Sequence, residues 1–69
     1  MAAVREFYGL SAREAEVAEL IARGNSMAAI AERLVISENT VRTHAKHIYT
    51  KLDIHRRQEL LDMLRELGD

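Results

Sequence analysis

Sixty-nine residues with no cysteine and no proline support one small domain and exclude a disulfide framework or a thiolate metal site, so helix packing must hold the chain together. The hydrophobic share is 48 %, but Phe7, Tyr8 and Tyr49 are the only aromatics, which leaves aliphatic side chains and alanine to fill the core. A net charge of −1 argues at first against a nucleic-acid partner, and with no apolar run near the roughly 18 residues of a membrane span and no secretory leader the protein reads as cytoplasmic.

Residues 1–9 show no period and read as a lead-in or linker, with the folded domain expected over 10–67. Ser11 followed by Glu14 predicts a capping box, in which the Ser hydroxyl accepts the Glu14 amide and the carboxylate accepts the Ser11 amide. From there Val17, Leu20 and Ile21 recur at helical spacing, and Gly24, just past Arg23, supplies the left-handed residue that closes the first helix. Ser26 caps a second helix through Leu34, with Ile30, Ala31 and Leu34 on one stripe and Glu32 and Arg33 toward water. Val35-Ile36 is too apolar for an exposed link, so a buried turn is expected before Ser37, the cap of a third helix.

On that third helix Val41, Ala45, Ile48 and Leu52 are spaced by four, three and four residues, which at about 100° per residue makes one narrow core stripe. Asn39, Thr43, Lys46 and Thr50 then face outward with Arg42 and His47 flanking them, and His44 sits at the stripe's edge as a packed histidine. Asp53, tolerant of the left-handed conformation, ends the helix. A fourth helix from about Arg57 to Leu67 carries Leu60, Leu61, Leu64 and Leu67. The expected fold is all-α: a four-helix bundle whose second helix, turn and third helix form a helix-turn-helix.

The net charge conceals a segregation. Residues 1–37 carry four Arg against five Glu, a net −1; residues 38–57 carry five Lys or Arg against Glu38 and Asp53, a net +3; residues 58–69 carry Arg65 against Glu59, Asp62, Glu66 and Asp69, a net −3. The basic charge is thus concentrated in one stretch, which contains the helix that a helix-turn-helix lays in the major groove of double-stranded DNA. Arg42 and Lys46 are one turn apart and either can donate to guanine O6 and N7, with Thr43 between them offering a methyl or a hydroxyl. Ser26, Ser37, Thr40, His47 and Lys51 lie where helix N-termini or side chains meet phosphates. A polar face with two or three cations is also what a merely solvated helix presents. No nucleophile with a paired base, carboxylate dyad or phosphate-cradling glycine loop is present, so no enzyme activity is expected. His44, His47 and His55 do not make a helical zinc pair, and neither a metal nor a cofactor is expected.

The order of motifs is more specific than the charged face. Leu10-Ser11-Ala12-Arg13-Glu14-Ala15-Glu16-Val17 resembles the opening of the LuxR/GerE family. Gly24-Asn25-Ser26, Ile30-Ala31-Glu32-Arg33-Leu34, Ile36-Ser37-Glu38-Asn39-Thr40-Val41-Arg42-Thr43-His44 and Ile48-Tyr49-Thr50-Lys51-Leu52 follow in register. The resemblance spans residues 10 to about 64. It implies the output domain of a transcription regulator, ordinarily joined to a sensor domain, that reads DNA and meets RNA polymerase. By position Arg42, Thr43 and Lys46 match the family's major-groove contacts, and Thr40, His47 and Lys51 lie among its backbone-contact and supporting positions. Departures fall at helix ends: Ala28 and Ala29 replace a polar pair and remove a capping-box partner, Asp53 replaces glycine, and Arg56 stands where a small capping residue is usual.

The resemblance also implies a homodimer formed through the last helix, weak in isolation because that helix is acidic. Leu60, Leu61, Met63, Leu64 and Leu67 cover more of its circumference than one core-facing stripe needs, so they are the expected dimerisation residues. The competing readings are region 4 of a sigma factor, which shares the helix-turn-helix, and a small helical protein-interaction module docking through its Leu-rich fourth helix.

Overall fold

Ser11, Ser26 and Ser37 each turn extended backbone into helix, with φ between −73° and −69° and ψ between 151° and 166°. Their hydroxyls accept the amides of Glu14 at 3.1 Å, Ala29 at 3.1 Å and Thr40 at 3.0 Å. At Ser11 the box is complete, because the Ser11 amide donates back to Glu14 Oε1 at 2.9 Å; at Ser26 the residue three on is Ala29, which has nothing to return. The computed structural model describes residues 2–66, which form five helices: α1 (Ala2–Tyr8), α2 (Ala12–Ala22), α3 (Met27–Leu34), α4 (Glu38–Leu52) and α5 (Arg57–Glu66).

The four expected helices are α2 to α5, and α1 precedes them where the sequence reads as an aperiodic lead-in. Seven residues are too few to display a period, yet Val4 of α1 is wholly buried in the core. Gly9, at φ 70°, then reverses the chain so that the Leu10 amide reaches Arg5 O at 3.0 Å and the Leu10 side chain follows Val4 inward. Phe7 stays 77 % exposed, edge-on to the Tyr8 ring at 5.0 Å.

The stripe of α4 is buried as its spacing requires: Val41 and Ile48 completely, Ala45 and Leu52 nearly so. It joins Val17, Ala18 and Ile21 of α2 and Ile30 and Ala31 of α3 in one apolar cluster, and α4 packs on both of those helices. Asp53 closes α4 at φ 55°, ψ 49°, in the left-handed conformation, and Ile54 behind it returns to the core.

The turn from α3 to α4 corrects the sequence reading. Val35 is 88 % exposed, and only Ile36 packs against the core. The cause is the backbone: Val35 takes the left-handed conformation, φ 56° and ψ 49°, so that the Ile36 amide can bond Ala31 O at 3.0 Å and close α3, and its side chain is turned out.

Without a capping hydroxyl, α5 is anchored by Arg57, whose Nη2 donates to Asn25 O at 2.9 Å while Asn25 Nδ2 donates to Leu20 O at 2.9 Å. That ties its first turn to the link between α2 and α3. The expected dimerisation set divides here. Leu60 is wholly buried and Leu64 nearly so within the chain's own core, on a helix that packs against α2, so neither is open to a second copy. Leu61 and Met63 are half-buried, and Leu67 lies outside the described residues. No helix among the described residues is long and apolar enough to cross a membrane.

Candidate nucleic-acid interface

The outward face of α4 is fixed by its inward one. With Val41, Ala45, Ile48 and Leu52 buried, Asn39, Arg42, Thr43, Lys46, His47 and Thr50 are left exposed along the same helix, and His44 is half-buried at the margin. The three expected base-reading residues, Arg42, Thr43 and Lys46, therefore share one exposed surface. The hydroxyls of Thr43 and Thr50 donate to the carbonyls of Asn39 at 3.1 Å and Lys46 at 2.9 Å, which holds both side chains against the helix rather than leaving them to rotate.

At the start of α4 the Ser37 and Thr40 hydroxyls lie 2.7 Å apart, with the Thr40 amide bonded to Ser37 Oγ. The amides of Glu38 and Asn39 have no acceptor within the helix, as in any first turn, and this end carries partial positive charge. Ser26, another of the five expected backbone contacts, sits instead at the start of α3, where its hydroxyl is taken up by the Ala29 amide.

The cations are not equivalent. Arg42 Nη2 is 2.6 Å from Glu38 Oε1, one turn back on the same helix. Lys51 Nζ reaches across to α2, donating to Glu14 Oε1 at 2.7 Å and to Gly9 O at 3.2 Å, and Arg57 is held by Asn25 O. Lys46 and Arg56 are the cations of the basic stretch that, among the described residues, make no ion pair or side-chain hydrogen bond. Of these, Lys46 lies on the outward face of α4.

Glu14 is the group around which the far end of α4 is organised. Its residue is only 5 % exposed, its carboxylate accepts from Lys51 and from the Ser11 amide, and His47 Nδ1 stands 3.8 Å from Oε2. The Lys51 ammonium, followed by the Ser11 amide, holds the Glu14 carboxyl below the usual carboxylate range, against the opposing effect of burial. His47 and Lys51, both expected to touch phosphate, are thus gathered on one buried carboxylate of α2.

Two participants escaped the sequence reading. Glu38 carried a signal, since Glu four residues before Arg is a favoured helical pair. Glu14 showed its part in the capping box, but nothing local announces a partner 37 residues away.

Residues 8–64 match the family described as bacterial regulatory proteins, luxR family. Over 53 residues, 77 % of this chain, the sequence is 47 % identical to the oxygen regulatory protein NreC of Staphylococcus haemolyticus and covers 24 % of that protein. It is 45 % identical over the same length to the NreC proteins of Staphylococcus epidermidis and Staphylococcus aureus, again covering 24 % of each. The chain therefore spans about a quarter of the length of these curated relatives.

Proposed function

Because the chain belongs to the luxR family of bacterial regulatory proteins, it is the DNA-binding output domain of a transcription regulator, and we propose that α4 enters the major groove with Arg42, Thr43 and Lys46 toward the base edges. The observation that carries this reading is the exposed face of α4, on which those three residues stand together over a fully packed stripe. The Ser37 and Thr40 end of the helix meets one phosphate and Ser26 at the start of α3 another, as helix N-termini do. His47 and Lys51 meet the backbone farther along. Lys51 has three N–H donors and two are engaged, which leaves one for a phosphate without releasing Glu14.

Two copies bind an inverted repeat, pairing through α5 by the half-buried Leu61 and by the part of Met63 that its packing against the core leaves open. The domain works in the cytoplasm, where RNA polymerase is the further partner of a regulator bound near a promoter, and no reaction is assigned to the chain. Fluorescence-anisotropy titration of a labelled duplex at several salt concentrations tests the reading. Affinity falls as salt rises, with the logarithmic slope counting the phosphates neutralised; a flat response would remove the role given to the α4 face.

A further inference from the structure

Stability accounts only in part for the contact between Glu38 and Arg42, through a favoured helical pair and a first-turn acid. Both side chains are largely solvent-exposed, at 43 % and 60 %, and an exposed pair one helical turn apart adds little to a fold. Glu38 also places a negative charge in the first turn of the helix that is to approach phosphates, which disfavours every DNA sequence alike. What the pair does is local to Arg42. One donor on Nη2 is held at 2.6 Å by Glu38 Oε1, and the other four N–H groups of the planar fork remain available.

We propose that Glu38 is a specificity-determining residue of this domain: it positions the Arg42 guanidinium for a guanine and withholds it from the phosphates. The inference rests on the reading of α4 as the major-groove helix. An arginine on an exposed helix face can contact any duplex by swinging to the nearest phosphate, a contact without sequence information. Held by Glu38, the guanidinium keeps its fork directed along the face that also carries Thr43 and Lys46. There guanine O6 and N7 can accept two of its remaining donors without the Glu38 bond being broken. At a site without guanine the held guanidinium finds no base acceptor and is kept from the phosphates, so the pair selects by denying wrong sequences a contact as well as by binding the right one.

The test uses the whole 69-residue chain, a duplex selected by that chain from a random pool, and a scrambled duplex of the same length. Glu38→Gln is expected to tighten binding to the scrambled duplex, and the ratio of selected to scrambled affinity is expected to fall about tenfold, the discrimination of one good base contact. In an Arg42→Ala background the same substitution shifts both affinities together and leaves their ratio unchanged. Thermal melting checks that the Gln variant is folded, since a first-turn acid also interacts with the helix dipole. A ratio within about twofold of wild type in Glu38→Gln, or an equal fall in the Arg42→Ala background, overturns the assignment while leaving the DNA-binding reading in place. A wild-type chain that neither prefers its selected duplex nor responds to salt overturns both.

Discussion

Lys51 and Glu14 join the last turn of α4 to the first turn of α2 at 2.7 Å, across 37 residues of sequence. The carboxylate is almost wholly enclosed, whereas the lysine side chain remains 39 % exposed. Removing the lysine charge leaves a buried carboxylate with the Ser11 amide as its remaining close donor. Lys51→Met should therefore destabilise the fold by about 1–2 kcal/mol, less than for a fully enclosed pair because water reaches the lysine. Urea denaturation measures it. Unchanged stability, with binding weakened equally on all duplexes, would mean that Lys51 serves phosphate alone.

The lowered pKa of Glu14 makes the same contact pH-dependent. A carboxyl whose folded pKa lies below its unfolded value contributes stability that is complete above the unfolded value and is lost as pH falls through the folded one. Stability should decline as the medium is acidified through and below the ordinary carboxylate pKa of about 4.3. In Glu14→Gln the decline should be shallower, although the variant starts from a lower stability at neutral pH. Melting curves collected from neutral to acid pH give both slopes, and parallel slopes would assign the acid sensitivity to other carboxylates.

Lys46→Ala and Arg42→Ala should each cost about 1–3 kcal/mol on a duplex selected by the wild-type chain, with no change in melting temperature, since both side chains are exposed. On random duplex DNA the two should differ. Among the described residues the Lys46 ammonium has no partner, so its loss weakens binding to any sequence; Arg42 is held by Glu38, so its loss is felt chiefly on the selected site. Equal losses on both duplexes for both variants would show that neither residue reads a base.

Val35 makes the opposite kind of prediction. A β-branched residue at φ 56° is strained, and at 88 % exposure its side chain gains almost nothing from packing. Val35→Gly should raise stability by about 0.5–1 kcal/mol, the relief of strain outweighing the added freedom of the unfolded chain. Differential scanning calorimetry would show it as a higher melting temperature. A lower one would mean that the valine side chain has contacts that its exposure conceals.

For the pairing of two copies, Leu61→Glu and Met63→Glu are the informative substitutions, with a melting curve for the second because Met63 also packs against the core, whereas Leu64→Glu would place a charge in the core and test only folding. Sedimentation should find the isolated chain mostly monomeric, with two copies assembling together on an inverted repeat. Each surface variant should convert that joint assembly into independent binding to the half-sites. Joint assembly that survives both would move the interface away from α5.

Helices α2 to α4 were legible because each begins at a serine whose hydroxyl finds its amide three residues on, and because the stripe of α4 has one interpretation on a helix. The turn at Val35 was misread for a physical reason: hydropathy predicts where a side chain would prefer to be, but the carbonyls ending α3 decide where the backbone sends it. On α5, leucines at 60, 61 and 64 with Met63 satisfy two faces equally. Which of them meets the core depends on how α5 docks, and one tie in that docking is the bond from Arg57 to Asn25. The partners of Lys51 were beyond local inspection for a simpler reason, since sequence spacing constrains contacts within a helix and says nothing of contacts between helices.

Val4 bears on how this module can be transplanted. The family match opens at residue 8, and a domain swap cut there would look complete by every motif it carries. It would lack the Val4 side chain, which sits wholly buried in the same core cluster as Leu10, and the core would open on a cavity near the point where the new partner is attached. A chimera joined upstream of α1 keeps that wall intact. One joined at residue 8 would show its defect as poor solubility and low yield, easily mistaken for an incompatibility between the fused domains.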